Sequence, residues 1–265
     1  VYRRVRVAEC FSYECRDMKK SLEYQLGALK YSMLFKADVP NFLEPWYGIG
    51  IVASAFGNEY IWYEGNAPAM KPKFTSIDDM LNFDIVEVAN TPIGRHVLNM
   101  IEYFIEQTNA KLPISFTDSQ SPLNIVTNLI PLDKFFYELL VEPEKVKMLF
   151  DILANLSISF NYEQYKLIGN LLVLPGHGFA SSHYWKGIGV SDDNALMISP
   201  EQYIQFECPS LEKIGEGFGG IAFHSCGDWT NWIDAVMKIK NLKMVDAAFS
   251  KDIDPGAIKN IEVFH

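Results

Sequence analysis

Residues 219–228 read GGIAFHSCGD, a short apolar run that ends in a His-x-Cys pair and a glycine. Successive side chains of a β-strand point to opposite faces, so His224 and Cys226 share a face if the strand persists to Cys226. An imidazole and a thiolate side by side suit a soft divalent metal, above all zinc. Taken alone, the pair also fits a buried cysteine beside a strand-end histidine that hydrogen-bonds to a backbone carbonyl, because free cysteine is among the most buried residue types.

The composition limits the classes of protein to consider. A length of 265 residues is about right for one α/β barrel, and 49% hydrophobic residues allow a large core. The net charge of −10, with no basic run beyond Arg3, Arg4 and Arg6, argues against nucleic acid as a partner. Those arginines could hold an anionic substrate, although a solvated basic end is the commoner outcome.

Cysteine usage and hydropathy bear on the compartment. The cysteines are too few for a secreted disulfide framework, so we expect a reducing cytoplasm and thiols free for metal; they are Cys10, Cys15, Cys208 and Cys226. No apolar run approaches the ~18 residues of a membrane helix, and no signal-peptide pattern is present, so we expect no membrane partner. The chain lacks an initiator methionine and closes on a strand-like segment, which suggests a fragment or a chain whose ends are missing.

Apolar runs alternate with amphipathic stretches along the chain. Candidate strands lie at 49–56, 112–116, 187–191, 219–224, 242–247 and 261–264. Helical patterns cover an N-terminal segment at about 15–36, then 77–83, 94–109, 123–130, 134–141, 144–166, 199–215 and 229–238. Such alternation predicts βαβ units and a parallel sheet.

We therefore predict an α/β fold, a (β/α)8 TIM barrel that is incomplete at the chain ends. Polar residues end several strands in succession, and no glycine fingerprint follows the first strand, which favours the barrel over a doubly wound sheet. No linker separates domains, so residues 1–265 are expected to form one domain.

The barrel would gather polar side chains at its C-terminal mouth. They are Asp118, Asp192, Asp193, His224, Cys226 and Asp246, with His177 and His183 in a nearby loop. Neighbouring side chains on an extended chain face opposite ways, so at most one of Asp192 and Asp193 points inward, and the other caps a helix or is solvated. His177, between two glycines, is either a ligand or a flexible surface histidine.

Several of these segments resemble the uroporphyrinogen decarboxylase superfamily. They are SDDNALMISPEQY at 191–203, Pro209 ahead of a helix, FHSCG at 223–227, DSQSPL at 118–123 and LLVEPE at 139–144. The chain is most similar to the corrinoid-dependent branch, the methylcobamide:coenzyme M methyltransferases and their relatives. The resemblance covers roughly residues 38–247.

The resemblance implies a TIM barrel and a zinc ion held by His224, Cys226 and a later cysteine. No cysteine follows Cys226 in the sequence. Asp246, at the end of the next predicted strand, is therefore a candidate for an additional oxygen ligand or for an acceptor behind a ligand. The acidic ligand of cobalamin-independent methionine synthase, which has a similar barrel, provides the analogy.

The implied activity is zinc-dependent transfer of a methyl group between a corrinoid (cobamide), carried by a partner protein, and a small-molecule thiol. In this hypothesis Asp192 and Asp118 are the candidate catalytic residues, which act on polar substrate groups. Asp193 and His177 are candidate substrate-binding residues.

Two alternatives stay open. One is uroporphyrinogen decarboxylase itself, a tetrapyrrole carboxy-lyase. Against it, the Arg-Gln-Ala-Gly-Arg signature is absent, and the catalytic aspartate of that enzyme has no match near residues 35–57, where this chain has Asp38 and Glu44. The other is a non-catalytic barrel that binds a corrinoid or porphyrin through a degenerate site.

Overall fold

The computed structural model of the protein describes residues 11–34 and 41–247. The basic cluster at 3–6, Cys10 and the predicted strand 261–264 lie outside the described residues.

The described chain alternates helices with short strands. The helices are α1 (Met18–Ser32), α2 (Ile77–Leu81), α3 (Pro92–Gln107), α4 (Pro122–Thr127), α5 (Leu132–Val141), α6 (Pro143–Ile168), α7 (Pro200–Gln202), α8 (Cys208–Phe218) and α9 (Ile233–Val236). The strands are β1 (Tyr60–Ile61), β2 (Ala69–Met70), β3 (Ser119–Gln120), β4 (Ile188–Ser191), β5 (Ile221–Ser225) and β6 (Leu242–Ala247).

Strands β3 to β6 form one parallel sheet whose spatial order is the order of the chain. Helices lie between consecutive strands, as parallel pairing requires, because the chain must return to the same end of the sheet each time. The predicted parallel α/β architecture is thereby confirmed.

Single parallel bridges extend this arrangement towards the N-terminus. Leu43 pairs with Ile114, and Ile114 pairs with Leu172. The amide of Gly189 in β4 then donates to the carbonyl of Pro175, at 3.0 Å. These bridges place further chain segments beside the sheet in sequence order, but a closed (β/α)8 barrel is not shown by residues 11–34 and 41–247.

The predicted strand at 49–56 is wrong. The segment contains a 3-10 helix, Val52–Phe56, that ends at Gly57 with a φ of 73°. Every residue of this helix is buried, and a run that is apolar on all sides carries no periodicity that could separate helix from strand. The first parallel bridge lies instead at Leu43, which the apolar pattern did not indicate.

The later predicted strands agree more closely with the structure. β4 and β5 begin and end within two residues of the predicted bounds, and β6 matches the range 242–247. The predicted strand at 112–116 contributes only the bridge at Ile114, and the chain pairs with β4 further on, at β3.

Helix starts follow their capping signals. The Ser76 hydroxyl accepts from the amide of Asp79, and Ser199 and Gln202 form a capping box at the start of α7. Between α7 and α8 the predicted helix contains a π turn, Tyr203–Glu207. The turn precedes Pro209, whose missing N–H removes one regular helical hydrogen bond.

The core lies between the sheet and the helices that cover it. Helix α6 packs against α3 and α8. Phe223 of β5 meets Tyr203 and Trp229 edge-on, with ring centroids 6.3 and 5.3 Å apart. This packing fixes the strand that carries His224 and ends one residue before Cys226. Within the described residues, no helix has the length and apolar character needed to cross a bilayer.

At Gly189, strand β4 lies in close contact with the loop that carries His177. A Cβ at this position would lie 2.9 Å from the Phe179 ring and 3.1 Å from the Pro175 carbonyl oxygen. We expect Gly189→Ala to lower the free energy of unfolding by about 1–3 kcal/mol, because a buried side chain must move to admit the methyl group.

Urea unfolding measures this effect, and Gly27→Ala is the matched control. Gly27 lies in α1 with no atom within 4 Å of an added Cβ, so there the change should be neutral or stabilise by up to ~1 kcal/mol. Equal effects of the two substitutions would contradict the close approach at Gly189.

Candidate metal centre

A row of polar residues crosses the carboxyl end of the parallel sheet. Gln120 pairs with Ser191, Ser191 with His224, and His224 with Asp246. Residues in register on neighbouring strands point to the same face of a sheet. The strand register therefore brings together side chains that are far apart in the sequence.

Asp193, His224 and Cys226 form a group of three metal-ligand donors. Each residue offers one possible ligand atom, and these three atoms all lie within 4.8 Å of one another. The Nε2 atom of His224 is 3.5 Å from the Cys226 sulfur and 3.7 Å from Oδ1 of Asp193. The same Oδ1 accepts a hydrogen bond from the backbone amide of Cys226, at 2.9 Å, which fixes the carboxylate beside the pair.

The carboxylate of Asp246 contacts the other ring nitrogen of His224, Nδ1. Its Oδ2 is 2.8 Å from Nδ1, so Nε2 is the nitrogen that faces Cys226 and Asp193. Burial lowers the pKa of His224, but hydrogen bonds with Asp246 and Cys226 and the charges of Asp246 and Asp193 outweigh it and raise the pKa to about 10. A metal must therefore displace a proton from Nε2 to bind there.

The donor set fits zinc. Nitrogen, sulfur and carboxylate oxygen are its usual ligands, and three protein ligands with an open fourth position are typical of catalytic rather than structural zinc sites. A carboxylate on the far nitrogen of a ligating histidine fixes the ring and raises its basicity, and this is the position of Asp246. The thiol of Cys226 is exposed, whereas Cys15 and Cys208 are buried and lie outside this group.

The two neighbouring aspartates face different surroundings. Asp193 is about half exposed and lines the cavity, whereas Asp192 is fully buried and accepts a hydrogen bond from the Tyr203 hydroxyl at 3.2 Å. Burial raises the pKa of Asp192 to about 7, although its hydrogen bonds oppose the shift. Asp192 therefore lies behind the site, and Asp193, which the sequence suggested as a substrate-binding residue, lies among the metal donors.

A cavity of about 190 Å³ adjoins the donors. Four titratable residues of the described chain line it, Asp118, His177, Asp193 and His224. The other lining residues are Ile49, Gln120, Asn124, Thr127, Asn128, Ser191 and Asn194. Asn124 of α4 accepts from both the backbone and the side-chain amide of Asn194, at 3.0 and 2.8 Å. These bonds anchor the loop that carries Asp193.

Histidine 177 is held between two carboxyl groups. Its Nδ1 is 2.6 Å from Oε1 of Glu44, and its Nε2 is 3.6 Å from Oδ2 of Asp118. Glu44 is fully buried, and Asp118 is 6% exposed. His177 is thus a fixed part of the cavity wall, unlike the flexible surface histidine that the sequence left open.

The sequence pattern did not indicate Glu44 as a site residue. It follows Leu43, whose strand bridge has no apolar run around it, so the strand-end signal that marked the other acids was missing. His183 is exposed, with Nδ1 2.9 Å from the Leu172 carbonyl oxygen, and it does not line this cavity.

Comparisons with known proteins bear on the fold. No family model matches the chain, and no curated protein is detectably similar to it. Among solved structures, the chain is similar to a methyltransferase from Methanosarcina mazei, with a TM-score of 0.65 and 15% sequence identity. That likeness shows the fold. It covers 84% of this chain and 61% of that one, so the chain spans about three fifths of the length of this neighbour.

The buried Asp192 predicts a pH dependence of stability. The folded protein keeps the Asp192 proton up to about pH 7, while the unfolded chain loses it near the ordinary pKa of 3.8. Between these values the unfolded state binds fewer protons, so the free energy of unfolding falls as pH rises, by up to ~1.4 kcal/mol per pH unit for one group. Asp192→Asn should make this slope shallower.

Urea unfolding at several pH values from about 4 to 8 measures the slope. Asp84→Asn, at an exposed carboxyl group, is the control and should leave the slope as in the wild type. An Asp192→Asn slope equal to the wild-type slope would show that Asp192 does not hold its proton in the folded state.

Proposed function

We propose that the protein is a zinc-dependent methyltransferase that moves a methyl group between a corrinoid and a small thiol. The observation that supports this most directly is the group formed by Asp193, His224 and Cys226 beside a cavity at the carboxyl end of the sheet. The carboxyl ends of parallel strands are where α/β folds place their active sites.

In the proposed site each residue has a distinct task. Asp193, His224 and Cys226 hold the zinc, and Asp246 orients the His224 ring through Nδ1. Bound zinc would supply a positive charge that lowers the pKa of a substrate thiol and favours the nucleophilic thiolate. Thr127 and the amide side chains of the cavity, among them Gln120 and Asn128, offer hydrogen bonds to the rest of the substrate.

The size of the cavity favours a small substrate. About 190 Å³ is below the ~300–1,000 Å³ of cavities that take drug-sized ligands. A tetrapyrrole is larger than such ligands, so we assign the cavity to the thiol and expect the corrinoid to be presented by a partner protein. For the same reason we do not favour the tetrapyrrole carboxy-lyase or the non-catalytic corrinoid or porphyrin binder.

Zinc analysis tests the metal centre. The purified wild type should contain about one zinc per chain, and His224→Ala, Cys226→Ser and Asp193→Asn should each lose most of it, because each removes one of three ligands. His183→Ala is the matched control and should keep its zinc, since His183 lies outside the donor group. Wild type without zinc, or variants with undiminished zinc, would contradict the proposal.

The role of Asp246 has its own test. Asp246→Asn should keep the fold and weaken zinc binding by ~10–100-fold, because the amide cannot support His224 as strongly as a carboxylate. Competition with a chelator measures the affinity. Loss as complete as in Cys226→Ser would indicate instead that Asp246 is itself a ligand.

Methyl transfer is tested with methylcobalamin and 2-mercaptoethanol as probes. The zinc-loaded protein should produce the methyl thioether, while Cys226→Ser should fall to the uncatalysed rate. Thioether is detected by mass spectrometry and cobalamin by its absorption spectrum. Activity on uroporphyrinogen without thioether formation would support the carboxy-lyase.

A further inference from the structure

Ile49 lies between two cavities. It lines the cavity of about 190 Å³ beside the metal donors, and it also lines a second cavity of about 10 Å³. Among the described residues, only Asp118 and Gln120 share this double position. These three residues therefore form the wall between the two spaces.

The three wall residues differ in what holds them. Asp118 accepts a hydrogen bond from the Ser191 hydroxyl at 3.1 Å, and Gln120 accepts one from the side-chain amide of Asn124 at 2.9 Å. An isoleucine side chain has no donor or acceptor and fills its place through size alone. Ile49 is also the one aliphatic side chain among the described residues that line the larger cavity. At Ile49, then, only a hydrocarbon side chain separates the two spaces.

The hairpin of β1 and β2 holds the backbone beside Ile49. The amide of Gly50 donates to the Tyr60 hydroxyl at 3.0 Å. An added Cβ at Gly50 would lie 2.8 Å from the Tyr60 ring and would overlap the thioether end of Met70. Tyr60 and Met70 are paired across the hairpin. Because the chain passes so close to this pair, the backbone at Ile49 has no room to move back on that side.

The lining of the second cavity suits the end of a longer chain. Apolar side chains, among them Ile51, Val52 and Phe160, line it together with Thr117. Thr117 Oγ1 is buried and has no hydrogen-bond partner among the described residues. A methylene chain that ends in a hydroxyl group fits such a lining. At about 10 Å³ the second cavity alone has room for about one water molecule, so it admits a chain only when it is joined to the larger cavity.

We propose that Ile49 restricts the site to short thiols, because it closes the larger cavity towards the second one. The inference rests on the proposed function and adds to it the residue that determines substrate length. A short thiol whose sulfur lies at the metal centre stays within the larger cavity. The carbons of a longer chain meet Ile49 or turn towards solvent, and they gain no buried contact in either case.

A series of hydroxythiols that differ only in length tests this inference. The series runs from 2-mercaptoethanol through 4-mercapto-1-butanol to 6-mercapto-1-hexanol, and calorimetric titration of the zinc-loaded full chain gives each affinity. In the wild type the affinity should level off or fall along the series. In Ile49→Ala it should rise by about 4-fold for each methylene group that enters the second cavity. The ratio of the longest to the shortest thiol should therefore increase at least ~10-fold on substitution.

Ile61→Ala is the matched control. Ile61 lies in β1 and is 38% exposed, close to the 42% of Ile49, but it lines neither cavity. This variant should keep the wild-type ratio. Ile49→Val, which removes a single carbon, should give a ratio between those of the wild type and Ile49→Ala. Affinities are compared at equal zinc content, and the melting temperature of Ile49→Ala should stay near that of the wild type because the side chain is partly exposed.

The possible failures of the two proposals are distinguishable. Equal affinity ratios for the wild type and Ile49→Ala would overturn the role of Ile49 while the proposed function stands. A wild type whose affinity already rises about 4-fold with every added methylene group would do the same, because the wall would then be open. No binding of any thiol by the zinc-loaded wild type would overturn the proposed function, and this inference with it.

Discussion

The parallel register of β4, β5 and β6 is the constraint on which the site depends. It aligns Ser191, His224 and Asp246 across three neighbouring strands. The strands are fixed by backbone hydrogen bonds and by the packing of Phe223 beneath them, and the His224 ring is held by the carboxylate of Asp246. A slip of one residue would turn His224 into the core and leave a polar group without its partner.

Two acidic side chains close to the cavity are fully buried. Glu44 and Asp192 lie fully within the protein, and each is paired with a polar group, His177 for the first and Tyr203 for the second. Buried acids of this kind cost stability unless they are paired or protonated. Glu44 contacts the cavity wall through His177, whereas Asp192 lies behind the cavity.

The two histidines that line the cavity, His177 and His224, have similar surroundings at Nδ1. In each, Nδ1 lies beside a carboxylate, Asp246 for His224 and Glu44 for His177, and the residue lines the cavity. The surroundings of Nε2 differ. Beside His224 they are a thiol and a carboxylate that fit a metal, and beside His177 they include the carboxyl group of Asp118.

The sequence by itself determined the parallel α/β class, strands β4 to β6 and the shared position of His224 and Cys226, because alternating faces and strand-end polar residues are local signals. Only the tertiary structure decided that Asp193 completes the donor group, that Asp246 stands behind the ring and that Glu44 faces His177. Glu44 and His177 are 133 positions apart, and no periodicity links them. Such contacts arise from strand register and from loops anchored by Asn124 and Gly189, and the information that sets them is spread over the whole fold.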